Sequence, residues 1–403
     1  MPSTKGPFTF PAPYGTRGAR ITDSTDRGGN NDVVYKPGYS YWPAINYHGA
    51  GDPEIKILVS FSDSNGLRIF KYNKTTEAVT NVGPAIDPGR AYSGIVDEHI
   101  YWSQSHPDKF YVIYLGKLIR YNHETDTEEV VIDLATHASA PAGADTMWQP
   151  NSSRDDTVHS FTVRQGSTPL GAASYNETTD TLTYHAAVGQ FDECQISRDG
   201  GYLIVKQDEN SSGGEDVRLH RLSDNATWLY DDQIDGAPGH SDNGDGFMIG
   251  ADNWSVNQAG DDNVWKLWDL SQGGSIVPVT QYYNDDSLIE APSHCSANAV
   301  FPGGITDQIV CMSSSNAINT PHANEIFFVK MDGSRRVLIG CPSMTQTTTG
   351  GDGLGNTTGT ILYYRRGKAS WDHTGRYCIF GSNLMGDYMD IFLLKVPYEL
   401  LND

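Results

Sequence analysis

The sequence predicts an all-β protein: a seven-bladed β-propeller with four-stranded antiparallel blades, whose ring is closed by an N-terminal strand. The 403 residues include 42 glycines, 20 prolines and 22 tyrosines, and long stretches of helical periodicity are absent. A strand, a polar turn and a second strand recur along the chain, and another hairpin precedes each copy. Two hairpins in every unit of about 40–50 residues, repeated seven times, are typical of a propeller.

The second hairpin of each unit recurs regularly enough to place the blades. Its copies are Leu67–Gly83, Leu118–Leu134, Ala172–Ala186, Val217–Asp231, Val264–Thr280, Ile326–Gly340 and Asp390–Leu401. The last copy stops before its second strand, so the seventh blade needs an outer strand from elsewhere. We expect Asp32–Lys36 to supply it, because pairing there would leave no open sheet edge. Residues 1–31 then form an N-terminal arm, and residues 32–403 form a single propeller domain.

The first hairpin of each unit contains a tight turn. It is clearest in Cys194–Lys206 and Ala369–Gly381, and Gly239–Gly250 falls in the same slot of the fifth unit. There Asn243, followed by glycine, indicates a turn between two strands. The alternative is a calcium loop over Ser241–Asp252, with oxygen side chains at the first, third and fifth places and a carboxylate at the twelfth. A serine as first ligand and the lack of flanking helices favour the hairpin.

The charge balance argues against several classes of partner. The chain has 28 lysines and arginines against 50 aspartates and glutamates, a formal net charge of -22. Nucleic acids and anionic membranes both require a basic surface, so we expect neither as a partner. A polyanionic substrate would need a local basic patch or a metal ion.

Targeting and cysteine signals are sparse. The first residues contain no apolar segment preceded by positive charge, which predicts no signal peptide. No window approaches the roughly 20 apolar residues of a membrane span. Five cysteines without CxxC spacing predict no disulfide framework. We expect a soluble monomer, and the sequence leaves its compartment open between secretion and association with a virion.

The turn motif carries a family resemblance. The S-x-D-G-x-Y pattern, present at Ser197–Tyr202, resembles the repeat of TolB-like propellers. Seven such blades, SYWP at Ser40–Pro43 and histidines at inner-strand starts resemble the propeller polysaccharide lyases, in particular the oligogalacturonate and ulvan lyases. The resemblance covers about residues 40–396. It implies β-elimination on a uronic-acid polysaccharide, with a metal ion in some members.

Histidines at the entries of two neighbouring inner strands predict a metal site. In a propeller the loops that enter the inner strands build one concave face, where sites usually lie. His240 and His294 enter the fifth and sixth blades, and imidazole is a common ligand of Zn and Mn. His322, Cys295 and Cys341 are candidate third ligands, and Ca is the less favoured metal. The alternative is that these histidines only hydrogen-bond neighbouring loops.

Three positive charges precede the inner strand of the seventh blade, at Arg365, Arg366 and Lys368. Arginine can hold a carboxylate through two hydrogen bonds, and lysine adds a point charge. Neutralising a uronate carboxylate acidifies its α-proton, as elimination requires. We therefore assign both arginines to catalysis and Lys368 to substrate binding, with a salt-bridged strand end as the alternative.

Elimination also needs a base, which must be a histidine or tyrosine within reach of the proton. The candidates are His99, Tyr283 and Tyr364, with His48 and His159 behind them. A structural role in a loop is the alternative for each histidine. His48 is also a candidate for substrate binding, and Trp42, Tyr282 and Trp254 could stack on sugar rings.

Three functions from different classes fit these features. The first is a lyase acting on an acidic polysaccharide, the second a non-catalytic glycan-binding or adhesion propeller, and the third a protein-interaction scaffold. The basic cluster beside two paired histidines favours the lyase over the scaffold. No nucleophile elbow of the GxSxG type is present, which argues against a hydrolase of that kind.

Overall fold

The computed structural model describes most of the chain. The described residues are 2–12, 14–28, 32, 34–62, 66–211, 213–232, 241–252, 264–273, 280–282, 294–313, 325–332, 336–340, 368–382, 389–397 and 399–402. For residues 251, 252, 264, 265, 280–282, 336–340, 401 and 402, only the backbone is described.

The predicted fold is confirmed: seven antiparallel sheets form the blades of a β-propeller. Blade 1 consists of β3 (Val34–Tyr35), β4 (Glu54–Phe61), β5 (Leu67–Asn73) and β6 (Val79–Pro84). Blade 2 consists of β7 (Ile100–Trp102), β8 (Lys109–Tyr114), β9 (Lys117–Asn122) and β10 (Thr127–Asp133). Blade 3 consists of β11 (Thr146–Ser152), β12 (Val158–Gln165), β13 (Thr168–Asn176) and β14 (Thr181–Ala186).

The remaining blades follow the same order, inner strand first. Blade 4 consists of β15 (Gln190–Ile196), β16 (Tyr202–Asp208), β17 (Asp216–Arg221) and β18 (Thr227–Tyr230). Blade 5 consists of β19 (Ser241–Asn243), β20 (Phe247–Asp252), β21 (Val264–Asp269) and β22 (Thr280–Tyr282). Blade 6 consists of β23 (His294–Ser296), β24 (Ile309–Ser313), β25 (Ile326–Lys330) and β26 (Arg336–Gly340). Blade 7 consists of β27 (Ser370–Trp371), β28 (Tyr377–Ser382), β29 (Asp390–Lys395), β2 (Arg17–Arg20) and β1 (Gly6–Thr9).

Helical structure among the described residues is limited to single turns, at Leu270–Gln272, Ile305–Asp307 and Glu399–Asn402. The chain divides into two compact units. One consists of Met1–Asp97 with Asp285–Asp403 and contains blades 1, 6 and 7, and the other is Glu98–Asn284 and contains blades 2 to 5. Within each unit the apolar side chains pack between neighbouring blades, as Phe328, Trp371 and Phe392 do between blades 6 and 7.

An N-terminal strand completes blade 7, but the strand predicted for this role is wrong. Val34–Tyr35 pairs with β4 and forms the inner strand of blade 1. The outer strand of blade 7 is β2, in which Gly18 lies opposite Leu394. A Cβ atom at Gly18 would lie 2.5 Å from the carbonyl oxygen of Leu393, so only glycine permits this approach. β1 then pairs with β2 as a fifth strand.

A buried ion network fixes β2 against β29. Asp390, the first residue of β29, is 1% exposed. Its carboxylate accepts hydrogen bonds from Arg20 at 2.5 Å, from Arg27 at 2.6 Å and from the Thr22 hydroxyl at 3.0 Å. The Thr22 hydroxyl in turn accepts the backbone N–H of Ile391 at 3.0 Å. Because both arginine side chains are also buried, the carboxylate supplies the counter-charge that the N-terminal segment needs.

A small polar residue stands at the end of the inner strand in each blade. A buried asparagine, serine or aspartate begins each inner turn, at Asn46, Ser103, Ser153, Ser197, Asn243, Asn298 and Asp372. In blades 1, 2, 3, 4 and 7 its side-chain oxygen accepts a backbone N–H of its own hairpin, at 2.7–3.0 Å. The hairpin predicted for the fifth blade is confirmed, since Asn243 ends β19 and pairs with Met248 of β20.

Two histidines from neighbouring blades stack within the second unit. The rings of His185 in β14 and His220 in β17 have centroids 3.7 Å apart and planes 29° apart. His185 Nε2 and His220 Nδ1 are buried and have no hydrogen-bond partner among the described residues. Burial, then repulsion from His185 and Arg218, lowers the pKa of His220 to about 4, although Glu209 opposes the shift. Burial also lowers the pKa of His185.

The Asp390 network makes a prediction about stability. Asp390→Asn should lower the free energy of unfolding by about 3–5 kcal/mol, because it leaves two buried guanidinium groups without their counter-charge. Urea unfolding followed by circular dichroism measures the loss. The control is Asp224→Asn, which breaks an exposed pair with Arg221 at 2.6 Å and should barely move the midpoint. Equal losses in the two variants would contradict a structural role for the network.

The histidine pair makes a prediction about pH. Its ring pKa values are lower in the folded protein than the ordinary 6.5, so the unfolded chain binds more protons below that pH. The stabilisation is therefore complete above pH 6.5 and is lost as pH falls towards about 4. His220→Phe should flatten the dependence of the melting temperature on pH over this window. Replacement of the exposed His106 by glutamine should preserve the slope, and equal slopes in wild type and His220→Phe would refute the assignment.

Candidate functional site

The inner strand of blade 1 is interrupted. Val34 and Tyr35 pair with Phe61 and Ser60 of β4. Residues 36–43 then leave the sheet, and the strand resumes where Ile45 bridges Ile57. Since β4 itself runs without a break, the sheet carries an excursion of eight residues, KPGYSYWP, on its inner edge.

A buried lysine and a glycine stabilise the conformation of the excursion. Lys36 is 5% exposed, and its ammonium donates to the carbonyl oxygens of Pro37 at 3.1 Å and Gly38 at 3.4 Å, and to that of Tyr39. Gly38 has a φ of +61°, and a Cβ there would lie 2.4 Å from the Trp42 ring. The Gly38 N–H donates to the Asp97 carboxylate at 3.2 Å. These contacts give the excursion a defined conformation.

Three aromatic rings form the tip of the excursion. Tyr39 and Tyr41 stack with ring centroids 5.5 Å apart and planes 6° apart. Trp42 packs on both, with centroids 4.6 Å from Tyr41 and 5.8 Å from Tyr39. Tyr41 and Trp42 are buried, whereas Tyr39 is half-buried. Tyr39 is thus the ring of the three that a ligand can reach.

Blades 6 and 7 each bring a polar side chain to Tyr39. The His294 ring, at the start of β23, lies 5.7 Å from the Tyr39 ring between centroids. The Lys368 ammonium, just before β27, lies 4.3 Å from the centroid of the Tyr39 ring, in the range of a cation–π contact. We call Tyr39, Tyr41, Trp42, His294 and Lys368 the Tyr39 cluster.

The two residues that follow Lys368 are hydrogen-bonded to blades 6 and 1. The N–H of Ala369 donates to the Ser313 hydroxyl of blade 6 at 3.1 Å, and the Ser370 hydroxyl donates to the Trp42 carbonyl at 3.4 Å. Lys368 itself has a φ of +36°, which is uncommon outside glycine and costs about 1–3 kcal/mol. The surrounding contacts hold this conformation, which aims the ammonium at Tyr39.

The Tyr39 cluster combines two kinds of chemistry. Lys368 is 8% exposed and His294 1% exposed, so both polar groups act in a largely dry setting. An ammonium in such a setting binds a carboxylate more strongly than it would in water. Tyrosine and histidine are groups that can transfer protons. The Lys368 ammonium and the His294 imidazole therefore both lie next to the half-buried Tyr39 ring, which is itself a proton-transfer group.

Three of the residues predicted from the sequence meet in this cluster: Trp42, His294 and Lys368. Tyr39 and Tyr41 were not predicted. The available signal was the Pro-Gly pair and the three aromatic residues directly after Lys36, which interrupt the alternation expected of an inner strand. The prediction missed it because Asp32–Lys36 was assigned to another blade.

His48 lies at the opposite end of the inner strands. Lys368 precedes β27, whereas Asp372 follows it, and His48 Nε2 lies 3.0 Å from the Asp372 carboxylate. Lys74 Nζ lies 3.1 Å from His48 Nδ1. Burial alone would raise the pKa of Asp372, but His48, the Thr374 hydroxyl and a backbone N–H outweigh it, so the pKa is lowered. His48 therefore lies at the end of β27 opposite to Lys368.

His99 and His159 belong to the second unit. His99 precedes β7, and its ring packs edge-on against Trp148 with centroids 4.1 Å apart. His159 is fully buried, and its two ring nitrogens lie 2.6 Å from the Ser152 hydroxyl and 2.6 Å from the Glu177 carboxylate. This network engages both nitrogens of His159, which favours a structural role for it.

The other predicted site residues cannot be placed. His240, His322, Tyr283, Tyr364, Arg365 and Arg366 lie outside the described residues, as do Cys341 and Trp254. Tyr282 ends β22, but only its backbone is described. Their assignments remain predictions.

The described residues contain three groups that could hold a metal ion. They are His48 with Asp372 and His373, Asp108 with His123 and Glu124, and Asp216 with Asp231 and Asp232. His294 belongs to none of these groups, and neither does the buried Cys295, one of its predicted partner ligands. The other predicted partners, His240, His322 and Cys341, lie outside the described part of the chain. Within the described part of the chain, the Tyr39 cluster therefore contains no complete set of metal ligands.

Comparison with solved structures agrees with the architecture. The crystal structure of oligogalacturonate lyase from Vibrio parahaemolyticus aligns over 98% of this chain and 98% of its own, at 12% identity and a TM-score of 0.61. An oligogalacturonate lyase in complex with manganese aligns over 99% and 98%, at 13% identity and a TM-score of 0.56. The fold is similar to that of these lyases.

A third solved structure is less similar to this chain, and two other comparisons found no match. TolB from Acinetobacter baumannii aligns over 76% of this chain and 62% of its own, at 13% identity and a TM-score of 0.36. No protein-family model and no curated protein matches the sequence. Within the described residues, we find no helix that is both long enough and apolar enough to cross a membrane.

The Gly38 geometry predicts that the cluster depends on one glycine. Gly38→Ala should destabilise the protein by at least about 1 kcal/mol, because the residue has a left-handed backbone and its Cβ would collide with Trp42. Tryptophan fluorescence should shift as the Trp42 ring is displaced. Gly51→Ala is the matched control, since a Cβ there meets nothing within 4 Å. If the two variants melt and fluoresce alike, the tight contact at Gly38 does not exist.

Proposed function

We propose that this chain is a polysaccharide lyase that cleaves a uronic-acid-containing polysaccharide by β-elimination at the Tyr39 cluster. The observation that carries the proposal is the Lys368 ammonium 4.3 Å from the centre of the half-buried Tyr39 ring, with His294 beside it. The fold shared with oligogalacturonate lyases supports the same class of reaction.

The cation addresses the first obstacle to elimination. The proton at C5 of a uronic acid is too weakly acidic for a side chain to remove unaided. Negative charge that develops on the adjacent carboxylate must be stabilised by a group that is already in position. Lys368 is suited to this role, because the two residues that follow it are hydrogen-bonded to blades 6 and 1 and because it is largely shielded from water.

Tyr39 is the candidate base, since it is the proton-transfer group of the cluster that is accessible to a ligand. Its oxygen, in the phenolate form, takes the C5 proton as the C4–O bond breaks, and a double bond forms between C4 and C5. The departing oxygen then takes a proton, which the tyrosine can return. The nearby ammonium favours the phenolate form during the step. His294, which contacts the ring, is a positioning residue.

A metal ion enters no step of this scheme. The manganese named with one similar lyase is a property of that protein. For this chain, the ligand set predicted around His294 includes residues outside the described part, so a metal at this face remains a separate prediction.

Substitutions that change single groups test the proposal. Tyr39→Phe keeps the ring and its packing, and it should reduce turnover about 10²–10⁴-fold because the proton-transfer group is lost. Lys368→Met should reduce it about 10²–10³-fold. The assay follows the absorbance of the unsaturated product on a panel of uronic-acid polymers. Tyr184→Phe, on an outer strand of blade 3, is the control and should retain full activity.

Two outcomes would contradict the proposal. If wild-type protein binds the polymers without forming an unsaturated product, the glycan-binding alternative is the better one. If Tyr39→Phe and Lys368→Met keep wild-type turnover while Arg365→Ala or Arg366→Ala loses it, elimination takes place elsewhere on the chain.

A further inference from the structure

We propose that His48, Asp372 and His373 form a binding site for a divalent first-row transition-metal ion, with Zn²⁺ as the reference case. The site joins blades 7 and 1 at the end of the inner strands opposite to the Tyr39 cluster. We call these three residues the blade-junction site. The proposal does not depend on the lyase activity.

The donor atoms are of the right kind and spacing. One ligand atom from each of the three side chains lies within 4.8 Å of the other two. His48 Nε2 and an Asp372 carboxylate oxygen are already 3.0 Å apart. Donors around tetrahedral Zn²⁺ at bond lengths near 2.0–2.1 Å lie about 3.3 Å from one another. Two imidazoles and one carboxylate are also a ligand set that zinc and iron sites use.

The Asp372 carboxylate is held in place before any ion binds. One oxygen accepts the backbone N–H groups of Arg376 and Tyr377, both at 2.9 Å. The other oxygen accepts the Thr374 hydroxyl and faces His48. Hydrogen bonds of this kind orient ligands and strengthen metal sites. The carboxylate is 2% exposed, so an ion there would be well shielded.

The two imidazoles complete the arrangement. His48 is 3% exposed, and its Nε2 is buried without an aligned hydrogen-bond partner among the described residues. It lies 3.0 Å from the Asp372 carboxylate. The His373 ring lies edge-on to His48 with centroids 5.0 Å apart, and it stacks on Tyr47 at 4.5 Å. Because His373 is only half-buried, it gives the site an opening to solvent.

The positive charge of Lys74 should weaken metal binding at the blade-junction site, so removal of Lys74 tests the proposal. Its ammonium lies 3.1 Å from His48 Nδ1 and donates to the Gly49 carbonyl at 2.8 Å. When Nδ1 accepts the Lys74 ammonium, the ring proton of His48 lies on Nε2. A metal ion at Nε2 requires that proton to leave for solvent and Nδ1 to take a proton, which Lys74 can give. The positive charge of Lys74 also repels the ion. If Lys74, His48 and Asp372 have only a structural role, Lys74→Met should destabilise the fold and should not tighten metal binding.

The experiment measures Zn²⁺ binding by the full chain. Protein treated with a chelator is titrated with Zn²⁺ in a calorimeter, and the melting temperature is recorded with and without the ion. We expect His373→Gln and His48→Gln each to weaken binding at the blade-junction site by about 10–100-fold or more. Lys74→Met should tighten it by about tenfold or more. His373→Gln is the safer variant, because its side chain is only half-buried, and circular dichroism checks that each variant is folded.

Matched controls separate this site from the others. His123→Gln removes the histidine of another candidate group, and His294→Gln removes the histidine of the Tyr39 cluster that the sequence predicts to bind metal. Each should leave the Zn²⁺ affinity of the blade-junction site unchanged. The proposal is overturned if wild type shows no Zn²⁺ binding. It is also overturned if His373→Gln binds as wild type does, or if Lys74→Met fails to tighten binding.

Discussion

The pairing of β2 with β29 is the constraint on which the first unit depends. Asp390 neutralises Arg20 and Arg27 inside the protein, and this ties the N-terminal segment to the last strand of the chain. With β2 in place, the outer edge of β29 is covered and blade 7 is complete. The inner strand of blade 7 then has a fixed position, and both candidate sites of this unit are built on it.

The two ends of that inner strand carry chemically different side chains. Lys368 precedes β27 and meets the aromatic excursion of blade 1, whereas Asp372 follows β27 and meets His48 of the same blade. One end has a cation beside a half-exposed tyrosine, which suits an acidic ligand. The other has a shielded carboxylate beside two imidazoles, which suits a cation. Their chemistry differs because the excursion of residues 36–43 reaches one end of the strand and not the other.

The sequence predicted the fold better than the site, for physical reasons. Hairpin alternation and the polar residue that ends each inner strand, such as Ser197 or Asp372, are local patterns and identified seven blades. β2 escaped prediction because Gly18 is required by close packing on Leu393, which local strand propensity does not register. Trp42, His294 and Lys368 were recognised from their places at strand entries. Tyr39 was missed for a second reason besides the wrong assignment of Asp32–Lys36: its contacts with His294 and Lys368 come from blades more than 250 residues away in the chain.

The origin of oxygen in the reaction products shows whether this chain cleaves a uronic-acid polymer by elimination or by hydrolysis. Elimination breaks the C4–O bond without adding water, whereas hydrolysis places an oxygen atom from water in the product. Incubation of the protein with a uronic-acid polymer in water labelled with heavy oxygen, followed by mass spectrometry, distinguishes the two. For elimination at the Tyr39 cluster we expect unsaturated chain ends, one water lighter than hydrolysis products, with no heavy oxygen incorporated at the cleaved bond. Products carrying heavy oxygen there, or no products from any uronic-acid polymer, would contradict it.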